Sequence, residues 1–120
     1  EGGSGGALAI GVADKLAMMR YSVFAVISPE GCAAILWNDP KKVEQASTAL
    51  KITPQDLHAH GLIDDILDEP LIGAHREKMA SAQVVKSYFL EQVRALKELS
   101  VEDMLEQRYQ RLVSIGAFAE

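Results

Sequence analysis

One cysteine, Cys32, among 120 residues leaves nothing for an intrachain disulfide and suits a reducing compartment. Basic residues are also scarce: 12 Lys and Arg stand against 17 Asp and Glu, giving a formal net charge of -5 and a sequence pI near 5.2. A nucleic-acid binder needs a basic face to meet phosphates, so that class is set aside. Aromatics make up 6% of the chain, and Trp37 and Tyr21 are too isolated to form a platform for base stacking. No apolar run approaches the roughly 18 residues of a membrane span; the longest, Ala7 to Ala13, is interrupted by Gly11. No basic segment leads into an apolar one at the start, so no signal peptide is read. His58 and His60 lie two apart, which on a helix sends them in different directions, whereas zinc-binding helices use a spacing of four. No metal ligand is assigned.

What is present is ordinary for a globular chain: 48% hydrophobic and 24% charged residues, enough for one small domain or a piece of one. A soluble, cytoplasmic protein is expected. The chain opens on Glu1 and a glycine cluster, Gly2-Gly3-Ser4-Gly5-Gly6, that runs directly into Ala7-Leu8-Ala9-Ile10. A glycine loop leading into a buried helix receives its chain from a preceding strand, and no such strand is evident. The chain is therefore read as the C-terminal part of a longer protein. A flexible linker is the alternative that the Gly/Ser composition allows.

Ser4 is expected to cap a helix over 5–12 that is apolar all round and hence buried. Two short buried strands are expected at 16–19 and 23–27. Ser28-Pro29, Asp39-Pro40 and Thr53-Pro54-Gln55-Asp56 carry helix-start chemistry, a side-chain oxygen before a proline whose missing N–H costs nothing in the first turn. Gly61 closes the third of these helices, and a strand follows over 62–67, with Asp64 and Asp65 on opposite faces. A long amphipathic helix is expected from Glu77 to about Leu99, with Ala80, Val84, Tyr88, Val93 and Leu96 inward. Ser100 caps a final helix carrying Leu105, Tyr109 and Leu112 and ending at Gly116.

Few constellations could carry chemistry. Glycines at a helix N-terminus let backbone N–H groups converge on an anion, aided by the helix dipole. Gly5 and Gly6 have no side chains to obstruct approach, which is how an oxyanion hole is built. The same segment reads as G-x-S-x-G, a nucleophile elbow at Ser4, with Asp64 or Asp65 and then His75 in the chain order that α/β hydrolases use. Cys32 is read as a small core residue. Glu30 lies in the first turn of a helix, where the dipole alone stabilises a carboxylate.

Longer stretches carry a more specific pattern. Glu1 through Lys15, Tyr21-Ser22, Val26-Ile27-Ser28-Pro29-Glu30-Gly31-Cys32-Ala33 and Ile35-Leu36-Trp37 resemble the acetyl-CoA carboxylase carboxyltransferase subunit alpha family. So do Ala49 to Thr53, Gly61 to Asp64, Glu69-Pro70-Leu71, Gly73-Ala74-His75-Arg76 and Glu106-Gln107-Arg108-Tyr109. The resemblance covers essentially the whole chain, in order.

The resemblance implies an α/β fold, the C-terminal part of a crotonase-like (ClpP/crotonase) fold of ββα units over 1–76, followed by a helical extension over 77–120. It implies transfer of the carboxyl group of carboxybiotin, borne on the biotin carboxyl carrier protein, to acetyl-CoA, giving malonyl-CoA for fatty-acid synthesis. The expected partners are a beta subunit, which holds the family's zinc and completes an α2β2 assembly, and biotin carboxylase. The N–H groups of Gly5 and Gly6 are expected to meet the ureido oxygen of biotin, with the beta subunit holding the thioester enolate. Glu30 falls where crotonase-type hydratases place a catalytic acid, but Leu8 occupies the other such position. Glu30 therefore stays a candidate for carboxyl transfer beside its structural role. Met18-Met19-Arg20 and Ile72 depart from the family pattern, Ile72 standing where glycine is usual.

Overall fold

In the computed structural model, which describes residues 1–116, short strands and helices alternate. The order is β1 (Gly2–Gly3), α1 (Ser4–Gly11), β2 (Ala17–Met19), β3 (Phe24–Ala25), α2 (Pro29–Trp37), a 3-10 turn (Pro40–Lys42) and α3 (Val43–Leu50). Then come α4 (Pro54–Ala59), β4 (Asp65–Leu67), α5 (Lys78–Lys97) and α6 (Val101–Ser114). This is a mixed α/β chain, as expected; the last four residues of the expected extension lie outside the described residues.

The opening glycines are neither loop nor linker. β1 pairs in parallel with β3, Gly2 opposite Phe24 and Gly3 opposite Ala25. A Cβ at Gly2 would lie 2.7 Å from the Phe24 ring, so the pair closes only over glycine. The second ladder joins β2 to β4, also in parallel, with Ala17, Met18 and Met19 opposite Asp65, Ile66 and Leu67. Both ladders link strands distant in sequence, because parallel pairing requires a crossover. The strands are shorter than the apolar runs that predicted them.

Helix starts follow local chemistry. The Ser28 hydroxyl accepts from the Gly31 N–H at 3.1 Å, and Thr53 and Ser100 accept from Asp56 and Asp103 in the same way. Gly61, with φ +69°, turns the chain out of α4. The first helix departs from expectation. Its cap position is Gly3, no side chain bonds to its first turn, and Ser4 itself takes a left-handed φ of +52°.

Two small cores result. Leu16, Met18, Leu57 and Ile63 pack beneath β2 and β4, with Phe24, Leu62 and Ile66 against them. Cys32 and Ala33 of α2 pack on Ala46 of α3, flanked by Ile27, Trp37, Val43 and Leu50. The expected burial of α1 does not occur: only Ala7 is buried, while Leu8 is 72% exposed. A helix apolar on all sides needs cover on all sides, and no other described element covers its outer faces. The radius of gyration, 16.5 Å, exceeds the about 13–14 Å of a close-packed domain of this length.

The C-terminal helices also correct the expected pattern. In α5, Val84, Tyr88, Val93 and Leu96 are half-buried, but Ala80 is exposed and Ser81 takes the buried position. In α6 the apolar residues Leu105, Tyr109 and Leu112 face outward, and Met104, Arg108 and Arg111 turn inward. Arginine displaces leucine there because its partners lie inside, as described below. Ile72 carries no backbone strain, since the positive φ of its turn falls on Gly73 at +86°.

Candidate functional site

β1 and β3 run side by side in the same direction, and each leads to a helix N-terminus, α1 directly and α2 after three further residues. Crevices outside the carboxyl ends of parallel strands are where α/β sheets bind ligands. The two helix starts differ. That of α2 is satisfied by the Ser28 hydroxyl and carries Glu30 in its first turn. That of α1 has no side-chain cap and no acidic residue.

Gly5 and Gly6 are the second and third residues of α1, so their N–H groups precede its first i→i−4 bond. Both are exposed, and a Cβ built on either would meet nothing within 4 Å. Two donors without an intrahelical acceptor thus stand at the positive end of a helix dipole with no side chain of their own beside them, an arrangement suited to an oxyanion. Glu30 is exposed on the neighbouring helix start and makes no hydrogen bond among the described residues. An apolar hollow of about 240 Å³ between Leu16, Phe24, Leu50, Leu57 and Leu62 lies elsewhere; neither Gly5, Gly6 nor Glu30 lines it.

The opposite end of α1 is held by charge. Arg111 Nη1 of α6 donates to the carbonyls of Gly11 at 3.2 Å and Ala13 at 3.3 Å, and Nη2 reaches Leu62 O at 3.5 Å. Its Nε lies 3.6 Å from Asp64 Oδ2. That same oxygen accepts from the Leu16 N–H at 2.7 Å, while Oδ1 takes Lys15 Nζ at 3.1 Å. Beside this, Arg108 grips Asp14 with two bonds of 2.7 and 2.8 Å. The hydrogen bond from Arg108 holds the Asp14 carboxyl below its usual range, against the opposing effect of its partial burial.

The hydrolase triad is not assembled. Asp64 is engaged as above, Asp65 accepts from the Tyr88 hydroxyl at 2.8 Å, and among the described residues no histidine bonds to either aspartate or to Ser4. His75 instead sits over Gly73, whose absent Cβ would lie 2.8 Å from the imidazole. Burial first, then the bond to Asp65, push the Tyr88 phenol up. Cys32 is buried in the second core, as read. Among the described residues no group of three or more His, Cys, Asp or Glu is placed to hold a metal, and no helix is long and apolar enough to cross a membrane.

Sequence reasoning missed the charged hub. It assigns no partner to Asp14, Arg108 or Arg111. It also missed Glu69, whose two oxygens accept the Tyr21 N–H at 3.1 Å and the Ala74 N–H at 3.0 Å, tying the 70–76 turn to the β2–β3 turn. The available signal was position: Asp14, Glu69 and Arg108 all stand inside the stretches that carry the family pattern.

Comparison with known proteins identifies the family. Residues 1–116 match the family described as acetyl co-enzyme A carboxylase carboxyltransferase-like, and the chain belongs to that family. More particularly, it is 72% identical over all its 120 residues to the acetyl-coenzyme A carboxylase carboxyl transferase subunit alpha of a Sulfurovum species, covering 38% of that protein. The subunits of the same name from a Nitratiruptor species and from Sulfurimonas denitrificans are 64% and 62% identical over the whole chain, each covered to 39%. The chain thus spans under two-fifths of the length of these relatives.

Proposed function

We propose that this chain supplies the backbone-amide side of a biotin-dependent carboxyltransferase site, acting as part of an acetyl-CoA carboxylase alpha subunit with a crotonase-like fold over 1–76. The observation that carries this reading is the uncapped start of α1, where the Gly5 and Gly6 N–H groups have no intrahelical acceptor and no side-chain cap, within a chain of the carboxyltransferase family. Carboxybiotin on the biotin carboxyl carrier protein would supply CO2 by breaking its N–carboxyl bond, leaving a ureido anion that could take a proton from the methyl group of acetyl-CoA, whose carbon would then bond to the CO2. The residues present fit such a ligand, because a ureido oxygen needs two fixed donors and room.

The chain's own part is electrostatic. The Gly5 and Gly6 amides donate to an oxygen on which negative charge grows, with α1's dipole behind them, and no side chain has to titrate. The absence of a side chain at both positions lets the oxygen come within hydrogen-bond reach. Glu30, in the first turn of the neighbouring α2, is the candidate carboxylate in this reading. The thioester enolate falls to the beta subunit, which also carries the zinc. With biotin carboxylase these parts make malonyl-CoA in the cytoplasm, the alpha and beta subunits pairing as α2β2 and the 77–120 helices extending the alpha subunit.

The test uses the whole-length chain assembled with its beta subunit. Gly5→Val places two methyl groups in the space before the amides. Malonyl-CoA formation should fall by about 10²-fold or more, while the circular dichroism spectrum and assembly stay unchanged. An unchanged rate overturns the proposal.

A further inference from the structure

We infer that Arg111 and Arg108 are positioning residues for the Gly5 and Gly6 amides: α6 holds the carboxyl end of α1 and thereby aims its amino end. The inference rests on the reading of those amides given above. Side-chain packing does little to fix α1, since Ala7 is its one buried residue. Its amino end is fixed by the β1–β3 pairing. Its carboxyl end is fixed by Arg111 on the Gly11 and Ala13 carbonyls and by Arg108 on Asp14.

Arg111 is suited to this because its planar fork serves several acceptors at once and places positive charge at the negative end of the helix dipole. Asp64 completes the device, pairing with Arg111 Nε while accepting the Leu16 N–H, so α6, the entry to β2 and the approach to β4 share one carboxylate. Geometry amplifies any slack. An α-helix of this length is about 12 Å long, so a tilt of about 5° moves its far end by about 1 Å. A misplacement of that size at a catalytic group costs about 10²-fold in rate.

The whole-length chain with its beta subunit provides the test, in Arg111→Ala, Arg111→Lys and Asp14→Asn. Two quantities are read: hydrogen–deuterium exchange of the peptide covering α1, and kcat with KM for acetyl-CoA. In Arg111→Ala, α1 should exchange faster and kcat should fall about tenfold or more, with KM unchanged. A merely structural loss would lower assembly or move both constants. Arg111→Lys keeps the pairing with Asp64 but not the paired carbonyl bonds, so it should recover part of kcat. Wild-type exchange of α1 in Arg111→Ala overturns the inference, as does faster exchange with unchanged kcat. Gly5→Val, run in parallel, separates the two readings: if it abolishes turnover while Arg111→Ala does not, only the positioning role has fallen; if it too is harmless, the amide reading has fallen. Should Arg111→Ala fail to fold, the nearly isosteric Asp14→Asn is read by the same criteria.

Discussion

Arg108 and Asp14 stand 94 positions apart in the chain and meet through two parallel bonds, Nε to Oδ1 at 2.7 Å and Nη2 to Oδ2 at 2.8 Å. A fork against a carboxylate fixes orientation as well as distance. It therefore ties α6 to the segment that follows α1 in one geometry.

The first prediction concerns acid. Asp14 is held below its usual range in the folded chain. A depressed carboxyl contributes stability that is present above the ordinary value of about 3.9 and is lost as pH falls through the lower folded value. Wild type should thus melt above Asp14→Asn at neutral pH, and the two should converge once Asp14 is protonated. Thermal melts across the acid range check this; a gap that persists at the acid end would contradict it.

At the alkaline end the sign reverses. The Tyr88 phenol is pushed up by burial and by its bond to Asp65. Its contribution is complete below about pH 10, the usual phenol value, and is lost as pH rises beyond it. One of the three tyrosines should therefore ionise only as the chain unfolds in base, seen in the ultraviolet absorbance of phenolate. Tyr88→Phe should remove that step and make stability less steep above about pH 10.

Two glycines three residues apart should respond oppositely to alanine. At Gly2 the new Cβ meets the Phe24 ring at 2.7 Å, an overpacking worth about 1–3 kcal/mol of destabilisation. At Gly5 it meets open space in the first turn of α1, where alanine stabilises by about 0.4–1 kcal/mol through a less free unfolded chain. Urea unfolding of both variants in parallel measures the contrast.

Ser4 should stay unmodified by a fluorophosphonate probe. Its left-handed φ and its place between strand and helix imitate a nucleophile elbow. A hydroxyl without a histidine partner is a weak nucleophile, however, and the aspartates that would orient one are bound elsewhere. Mass spectrometry of the treated chain decides it; an adduct at Ser4 would revive the hydrolase reading.

The caps at Ser28, Thr53 and Ser100 were legible because each depends on residues within one helical turn. The same holds for the turn at Gly61. The opening strand escaped notice because glycines signal loops unless the ring that packs on them is known, and Phe24 lies more than twenty residues on. Likewise α1 reads as buried because composition describes a surface and not what covers it. In α6 the apolar spacing pointed the wrong way, since the inward arginines answer to Asp14 and to α1's carbonyls, which no local pattern reveals. For the candidate site, the type and spacing of Gly5 and Gly6 were readable, whereas the machinery behind them joins residues about a hundred positions apart.

The bond from Arg111 to Gly11 spans 100 residues, and this sets a timetable for biosynthesis. The helix that presents the amides leaves the ribosome long before the arginine that steadies it has been translated. Nascent α1 must wait, exposed and apolar, for its anchor. Long-range closure of this kind is slow, so the final placement of this segment comes only after the far helix has been made.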